Sequence, residues 1–182
     1  MARIPYRSKA DLKPDDQVLL AREINLNRAL VNSPGAARAF SRLGGYIRNQ
    51  SPLDGRLREL AILQVGYVAR SEYEYSHHIK IGREFGVSDA DIRALATETR
   101  GEASELEPLT RAVLKAARQM AADKPVDEDT FALLRSELGD ERLTDLVVTI
   151  AFYCGVVRLL ATLGIDVEPE YAGYLEEFPL PR

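Results

Sequence analysis

Apolar residues recur at helical spacing along nearly the whole chain, and clean β alternation is absent. Two of the helical segments open on the same signal, because Ser33-Pro34 and Ser51-Pro52 each place an N-cap serine before a first-turn proline. The pattern predicts helices over residues 15–30, 34–48, 52–69, 72–85, 89–97, 108–122, 127–138 and 141–163. A fold made only of helices is therefore expected.

Single residues mark several of the expected helix ends. Ser71 is placed to cap one helix, and Ser88 with Asp91 resembles a capping box that opens the next. Gly139 separates the last two predicted helices and Gly164 closes the second of them. Residues 1–164 thus read as a single all-α domain, a helical bundle.

The tail over residues 165–182 contains three prolines and is predicted to be an extended arm. It is rich in apolar side chains for a segment without helical periodicity: Tyr171, Tyr174, Leu175, Phe178 and Leu180. Two interpretations stay open. The arm packs either on its own domain or across a neighbouring subunit, since exposed apolar patches usually mark contacts.

Composition narrows the function classes. The chain has 182 residues, 46% of them hydrophobic, and its net charge of −4 gives no sign of a nucleic-acid surface. The first residues lack the apolar run of a signal peptide, and no stretch is expected to approach the apolar length needed to span a bilayer. The only cysteine, Cys154, excludes an internal disulfide or a two-cysteine redox site. Cytoplasmic localisation is expected.

Glu59 stands on a segment that is apolar on most of its faces, which is typical of a helix buried in the core. A carboxylate in that position needs a partner or takes a raised pKa. The alternative is a simple structural ion pair, for example with Arg70.

The helix predicted after Ser71 places Glu74 and His78 four residues apart, on the face that continues into Ile81. A carboxylate beside an imidazole favours its charged form or fixes its tautomer, which suits proton transfer. A surface ion pair is the structural alternative. His77 is expected to point elsewhere into solvent, and Arg70 could hold an anionic substrate. No HExxH or CxxC spacing indicates a metal.

Four segments together resemble the carboxymuconolactone decarboxylase and alkylhydroperoxidase D-like family. They are RLRELAIL, RSEYEYSHH, GVSDADIRAL and FYCGVVRLLATLGIDVEPEY, and the resemblance extends from about Leu30 to Tyr171. Alkylhydroperoxidase D-like members carry a glutamate followed by a CxxCxxxH helix. The matching positions here are Glu59, Ser71, Glu74 and His78, so both cysteines are replaced. The resemblance implies that thiol peroxide reduction through that pair is absent.

The decarboxylase-type branch is the better match, because its acidic and aromatic run resembles Arg70 to His78. The resemblance implies an alkylhydroperoxidase D-like bundle, a homotrimer or homohexamer, and no organic cofactor. The expected function is a cofactor-free carboxy-lyase or isomerase acting on a small carboxylated lactone or unsaturated keto acid. His78, Glu74 and Glu59 are the expected catalytic residues. The expected substrate-binding residues are Arg70, Arg56, Tyr73 and Ser71.

Two other functions remain open at this stage. One is a non-catalytic oligomer that binds a small acid and is stabilised by it without turnover. The other is residual peroxidase chemistry at Cys154, although its position among apolar neighbours favours a buried inert thiol.

Overall fold

The computed structural model describes residues 2–181, and within them the regular structure is helical, without a β-strand. Two short 3-10 helices come first, over Lys9–Asp11 and Pro14–Leu20. The α-helices follow as α1 (Asn25–Leu30), α2 (Pro34–Asn49), α3 (Gly55–Val68), α4 (Glu72–Glu84), α5 (Asp89–Thr99), α6 (Pro108–Ala121), α7 (Glu128–Leu163) and α8 (Pro169–Glu177). The all-α prediction is confirmed.

Helix α3 lies at the centre of the bundle and is buried without interruption from Leu57 to Tyr67. It packs against α4, α6 and α7, and it separates two apolar clusters. Ala61 and Val65 belong to the larger cluster, whereas Leu60 and Leu63 belong to the smaller one. A helix that is apolar on most faces can be covered on all sides in this way.

The contact between α3 and α4 is close because Gly66 has no side chain. A Cβ at position 66 would lie 3.2 Å from the backbone nitrogen of Tyr75, which is tighter than ordinary van der Waals contact. The two helices can therefore bring their polar side chains within hydrogen-bonding distance of each other.

Helix α7 is interrupted at Gly139, where φ 72 and ψ 169 are not helical, as the sequence predicts. By length and composition α7 could cross a membrane, since an 18-residue window has a mean hydropathy of 2.1. The expectation that no stretch approaches this length is therefore wrong. Of that window, 44% is buried inside the fold, and α7 packs against α3 and α6. This packing accounts for the apolar character of its buried face.

Two of the predicted helices differ from the structure. Residues 15–30 form the 3-10 helix Pro14–Leu20 and the short α1 instead of a single helix. The break is held by a distant partner, because the Asn25 backbone N–H donates a 2.6 Å hydrogen bond to Glu168. Helix α3 begins after Asp54 and not at Pro52, because the Asp54 carboxylate caps it by accepting from the Leu57 N–H at 3.0 Å.

The tail is not the extended arm that its prolines suggest. Pro169 occupies the first turn of α8, where a proline N–H is not needed, and α8 packs against α4 of the same chain. Tyr171 and Phe178 are buried there. The caps at Ser71 and Ser88 are confirmed, since each serine side chain accepts a hydrogen bond from a backbone N–H in the first turn of its helix.

Candidate functional site

A cavity of about 270 Å³ lies between α2, α4 and α7. The segment 22–27 forms a further wall. The apolar lining of the cavity includes Leu26, Phe40, Ile81 and Phe152. The polar lining of the cavity includes Arg22, Arg48, Tyr73, Glu74, His77, His78 and Tyr153. A mostly apolar cavity with a few convergent polar groups is the usual form of a small-molecule site.

His78 is held between two carboxylates. Its Nδ1 lies 2.7 Å from Glu59 Oε2, and its Nε2 lies 2.8 Å from Glu74 Oε1. All three side chains are buried, with exposed fractions of 1% for Glu59, 3% for Glu74 and 5% for His78. Both ring nitrogens can donate to carboxylates at once only in the charged imidazolium. The α4 spacing explains the pair with Glu74, and the close approach of α3 and α4 explains the pair with Glu59.

The protonation states follow from this arrangement. Burial alone lowers the pKa of His78, but the charges of Glu74 and Glu59 and their hydrogen bonds outweigh it and raise that pKa to about 9. Burial conversely raises the pKa of Glu59, but His78 and then Arg58 outweigh it, so the pKa of this carboxyl lies below its usual value. The imidazolium and the Glu59 carboxylate are therefore both charged near neutral pH.

Arg58 completes the ion network on the side away from the cavity. Its Nε donates a 3.0 Å hydrogen bond to Glu59 Oε1, and the guanidinium carbon lies 4.3 Å from the centre of the Phe85 ring. One nitrogen of this guanidinium is buried without a hydrogen-bond acceptor among the described residues, and the Phe85 ring offers it a cation–π contact. Two positive and two negative side chains thus cancel within the network.

Only part of the network reaches the cavity. Glu74 and His78 line it, whereas Glu59 lies behind them. Tyr153 meets the His78 ring edge-on at 5.1 Å and also lines the cavity. Burial raises the pKa of the Tyr153 hydroxyl, as do the charges of Glu74 and Glu59, so this hydroxyl keeps its proton and can donate it to a bound ligand.

His77 is not solvated, contrary to the sequence-based expectation. Its ring is stacked between Tyr73, at 4.1 Å, and Tyr171, at 3.6 Å. Its Nε2 lies 2.8 Å from Glu168 Oε2, and Glu168 also accepts from the Tyr73 hydroxyl. The partner of His77 comes from the tail, which local sequence around α4 does not reveal.

Three of the expected substrate-binding residues lie away from the cavity. Arg56 is occupied by Asp91, to which its Nε donates at 3.0 Å. Arg70 is exposed at the turn between α3 and α4, with φ 51. Ser71 uses its side chain to cap α4. The structure therefore brings together Tyr73, Glu74 and His78 at the cavity, with Glu59 behind, and leaves the two predicted arginines outside.

Two arginines that the sequence reasoning missed stand at the cavity instead. Arg48 is half-buried on α2 and Arg22 is exposed on the turn before α1. A sequence signal existed for the first. Ser41, Gly45 and Arg48 share one face of α2, so that small side chains leave an open space beside a cation.

Cys154 lies outside this cavity and is buried on α7. Burial raises the pKa of its thiol, which makes the reactive thiolate scarcer at neutral pH. Within residues 2–181, no group of three or more His, Cys, Asp or Glu side chains has the arrangement of a metal site.

Residues 34–119 match the sequence model described as the carboxymuconolactone decarboxylase family. The matched segment, a little under half of the chain, is therefore similar to members of that family. The matched segment runs from the start of α2 into α6, and it contains Glu59, Ser71, Glu74 and His78. A search of curated proteins finds no match to the chain.

Solved structures share the fold of this chain over nearly its whole length. An alkylhydroperoxidase AhpD core protein from Ralstonia eutropha JMP134, described as an uncharacterized peroxidase-related protein, is 22% identical with a TM-score of 0.79, covering 99% of this chain and 98% of its own. The debrominase Bmp8, in a variant complexed with 2,3,4-tribromopyrrole, is 19% identical with a TM-score of 0.82, covering 98% of each chain. At these identities the likeness establishes the alkylhydroperoxidase D-like fold alone.

Proposed function

We propose that this protein is a cofactor-independent acid–base enzyme that acts on a small carboxylated lactone or unsaturated keto acid. The observation that carries the proposal is the His78 imidazolium between two buried carboxylates, one of which, Glu74, lines the cavity. Pairs of titratable groups whose environments set their charges apart are characteristic of acid–base sites.

Glu74, and not His78 itself, is the group that exchanges a proton with the substrate. Both ring nitrogens of His78 already face carboxylates, so a proton leaves the imidazolium most directly along its 2.8 Å hydrogen bond to Glu74. Glu59 and Arg58 act behind the imidazole, where they fix its orientation and charge.

Decarboxylation would use these groups in a balanced sequence. The bond to the departing carboxylate breaks, carbon dioxide leaves, and the electron pair passes into the conjugated carbonyl as an enolate. His78 Nε2 first passes its proton to the Glu74 carboxylate, the Glu74 carboxylic acid so formed then protonates the carbanion carbon, and solvent later restores the imidazolium. The neutral Tyr153 hydroxyl can donate a hydrogen bond to the enolate oxygen. Proton transfer of this kind contributes about 10²–10⁴-fold in rate, and an oxyanion donor about 10²–10³-fold.

One observation favours a second function, that of a non-catalytic oligomer that binds a small acid. Glu59, His78 and Glu74 satisfy one another's hydrogen bonds, as the members of a purely structural ion network also would. Such a protein would be stabilised by its ligand but would release it unchanged.

The test is an assay of carboxylated muconolactones and unsaturated keto acids, following release of carbon dioxide. We expect turnover by the unmutated protein and a fall in kcat of about 10²–10⁴-fold for Glu74→Gln, which keeps the size of the side chain but removes its basicity. The matched control is Glu72→Gln, because Glu72 is exposed on the same helix. Circular dichroism establishes that both variants are folded.

The outcomes separate the two functions. Turnover that Glu74→Gln leaves intact would remove Glu74 from the mechanism. Ligand-induced stabilisation without turnover by the unmutated protein would favour the binding function, and no response to any of these acids would sink the substrate class.

A further inference from the structure

The charges around the cavity are unbalanced once the ion network is set aside. Arg58, Glu59, His78 and Glu74 cancel among themselves. Arg48 and Arg22 also line the cavity, and within residues 2–181 neither guanidinium makes a hydrogen bond or an ion pair with another side chain. The cavity is therefore positive, and it is suited to an anion.

The two arginines differ in depth. Arg48 is half-buried beside the open face left by Gly44 and Gly45, and its positive charge acts on the hydroxyl of Tyr153. Arg22 is exposed, on the turn that leads into α1, so it stands at the mouth. A planar guanidinium matches the geometry of a carboxylate through two parallel N–H donors.

The apolar walls define what lies between the charged ends. Phe40 and Phe152 lie with their ring centres 4.8 Å apart, and both line the cavity together with Leu26 and Ile81. These walls suit a flat, unsaturated carbon chain or ring, whereas a sugar or a polyol would leave its hydroxyl groups without partners there.

We propose that Arg48 is the main anchor for a substrate carboxylate, that Arg22 binds a second carboxylate at the mouth, and that together they orient the substrate toward Glu74. This inference rests on the acid–base function proposed above, since it assigns the recognition elements of the same site. Arg48 and Arg22 thereby take the role that the sequence assigned to Arg70 and Arg56.

The test is equilibrium binding by calorimetry with two matched probes. These are trans,trans-muconate and sorbate, which share one conjugated chain but carry two carboxylates and one, respectively. We expect muconate to bind more tightly than sorbate. Arg48→Gln should weaken muconate binding about tenfold or more, as the loss of a charge-assisted hydrogen bond does. Arg22→Gln should have a smaller effect, because Arg22 is exposed.

Controls separate recognition from folding. Arg42→Gln removes an exposed arginine from the same helix, outside the cavity, and should leave binding unchanged. Arg48→Lys keeps the charge but loses the paired donors, so it should restore only part of the affinity. Thermal unfolding of each variant without ligand identifies any that fails to fold, and Arg48→Lys then serves as the variant for comparison.

The inference is overturned if muconate and sorbate bind equally, if neither binds, or if Arg48→Gln binds muconate like the unmutated protein. Because calorimetry needs no turnover, the two proposals can fail separately. Arginine-dependent binding of muconate with no turnover of any acid would overturn the acid–base function alone, whereas turnover that is indifferent to Arg48 would overturn the anchor alone.

Discussion

His77 and His78 are neighbours in sequence, and both are buried beside carboxylates, yet they have different surroundings. Both line the cavity, but His78 has a carboxylate at each ring nitrogen, whereas His77 has one carboxylate, Glu168, and an aromatic ring on each face. The step of about 100° between adjacent residues on a helix sends one imidazole toward α3 and the other toward α8. The partners of a buried histidine, and not its burial, therefore decide whether it takes part in a charged network or joins two helices.

The substitution His78→Gln is expected to have the largest effect on the free energy of unfolding. A glutamine carries no charge, so Glu59 and Glu74 would be left buried without a cation between them. We expect the free energy of unfolding at pH 7 to fall by about 3–5 kcal/mol, the usual effect of removing one member of a buried ion pair. Denaturant unfolding at a fixed protein concentration measures it. A loss below about 1 kcal/mol would contradict a charged His78.

The pH dependence of stability should distinguish the two histidines next. The pKa of His78 is raised from 6.5 to about 9 in the folded protein, so its stabilising contribution is fully present below pH 6.5 and is lost as the pH rises through 9. The loss should be on the order of 3 kcal/mol, since one pKa unit corresponds to about 1.4 kcal/mol.

Variants of the two histidines and the stability at acid pH provide the checks on this pH profile. His78→Gln should abolish the alkaline loss, and His77→Gln should keep it. In the acid direction, the lowered pKa of Glu59 gives a contribution that is present above pH 4.5 and is lost as the pH falls further. Unfolding curves collected between pH 3 and 10 cover both limbs.

His77→Gln should have a smaller effect on stability. The variant loses two stacking contacts and weakens the hydrogen bond to Glu168, which should lower the free energy of unfolding by about 1–3 kcal/mol. Because His77 lies outside the ion network, a cost as large as that of His78→Gln would contradict the division between the two sites.

Tyr171→Leu is the mildest test. Leucine keeps most of the apolar burial but removes the ring that stacks on His77 at 3.6 Å, so the cost should be about 0.5–1.5 kcal/mol. The change should be local, and limited proteolysis should cut the tail after residue 165 faster than in the unmutated protein. Unaltered cleavage would show that this stacking does not hold α8.

The features that could be predicted from the sequence each depend on the spacing of residues within one helix. The i, i+4 relation of Glu74 and His78, the Ser71 cap and the break at Gly139 all follow from local spacing, and all three are present. The family resemblance grouped Glu59 with His78 in one site, because no local rule relates side chains 19 positions apart on two helices.

The features that were missed depend on how distant segments meet. Glu168 binds both Asn25 and His77, and this single carboxylate from the tail decides where α1 begins and what surrounds His77. Arg22 was missed for the same reason, since it lines the cavity only because the turn before α1 forms one of its walls. Arg56 and Arg70 stand close to Glu59 and Glu74 in sequence but point away from the cavity.

The absent side chain at Gly66 affects the geometry of the ion network although Gly66 is not part of it. A methyl group there would press on the backbone of Tyr75, and α4 would have to yield by a few tenths of an ångström relative to α3. Glu74 would move together with His78, since both lie on α4, but Glu59 would keep its position on α3. A side chain at position 66 would therefore change the distance from His78 to Glu59 more than the distance from His78 to Glu74, although position 66 lies outside the ion network.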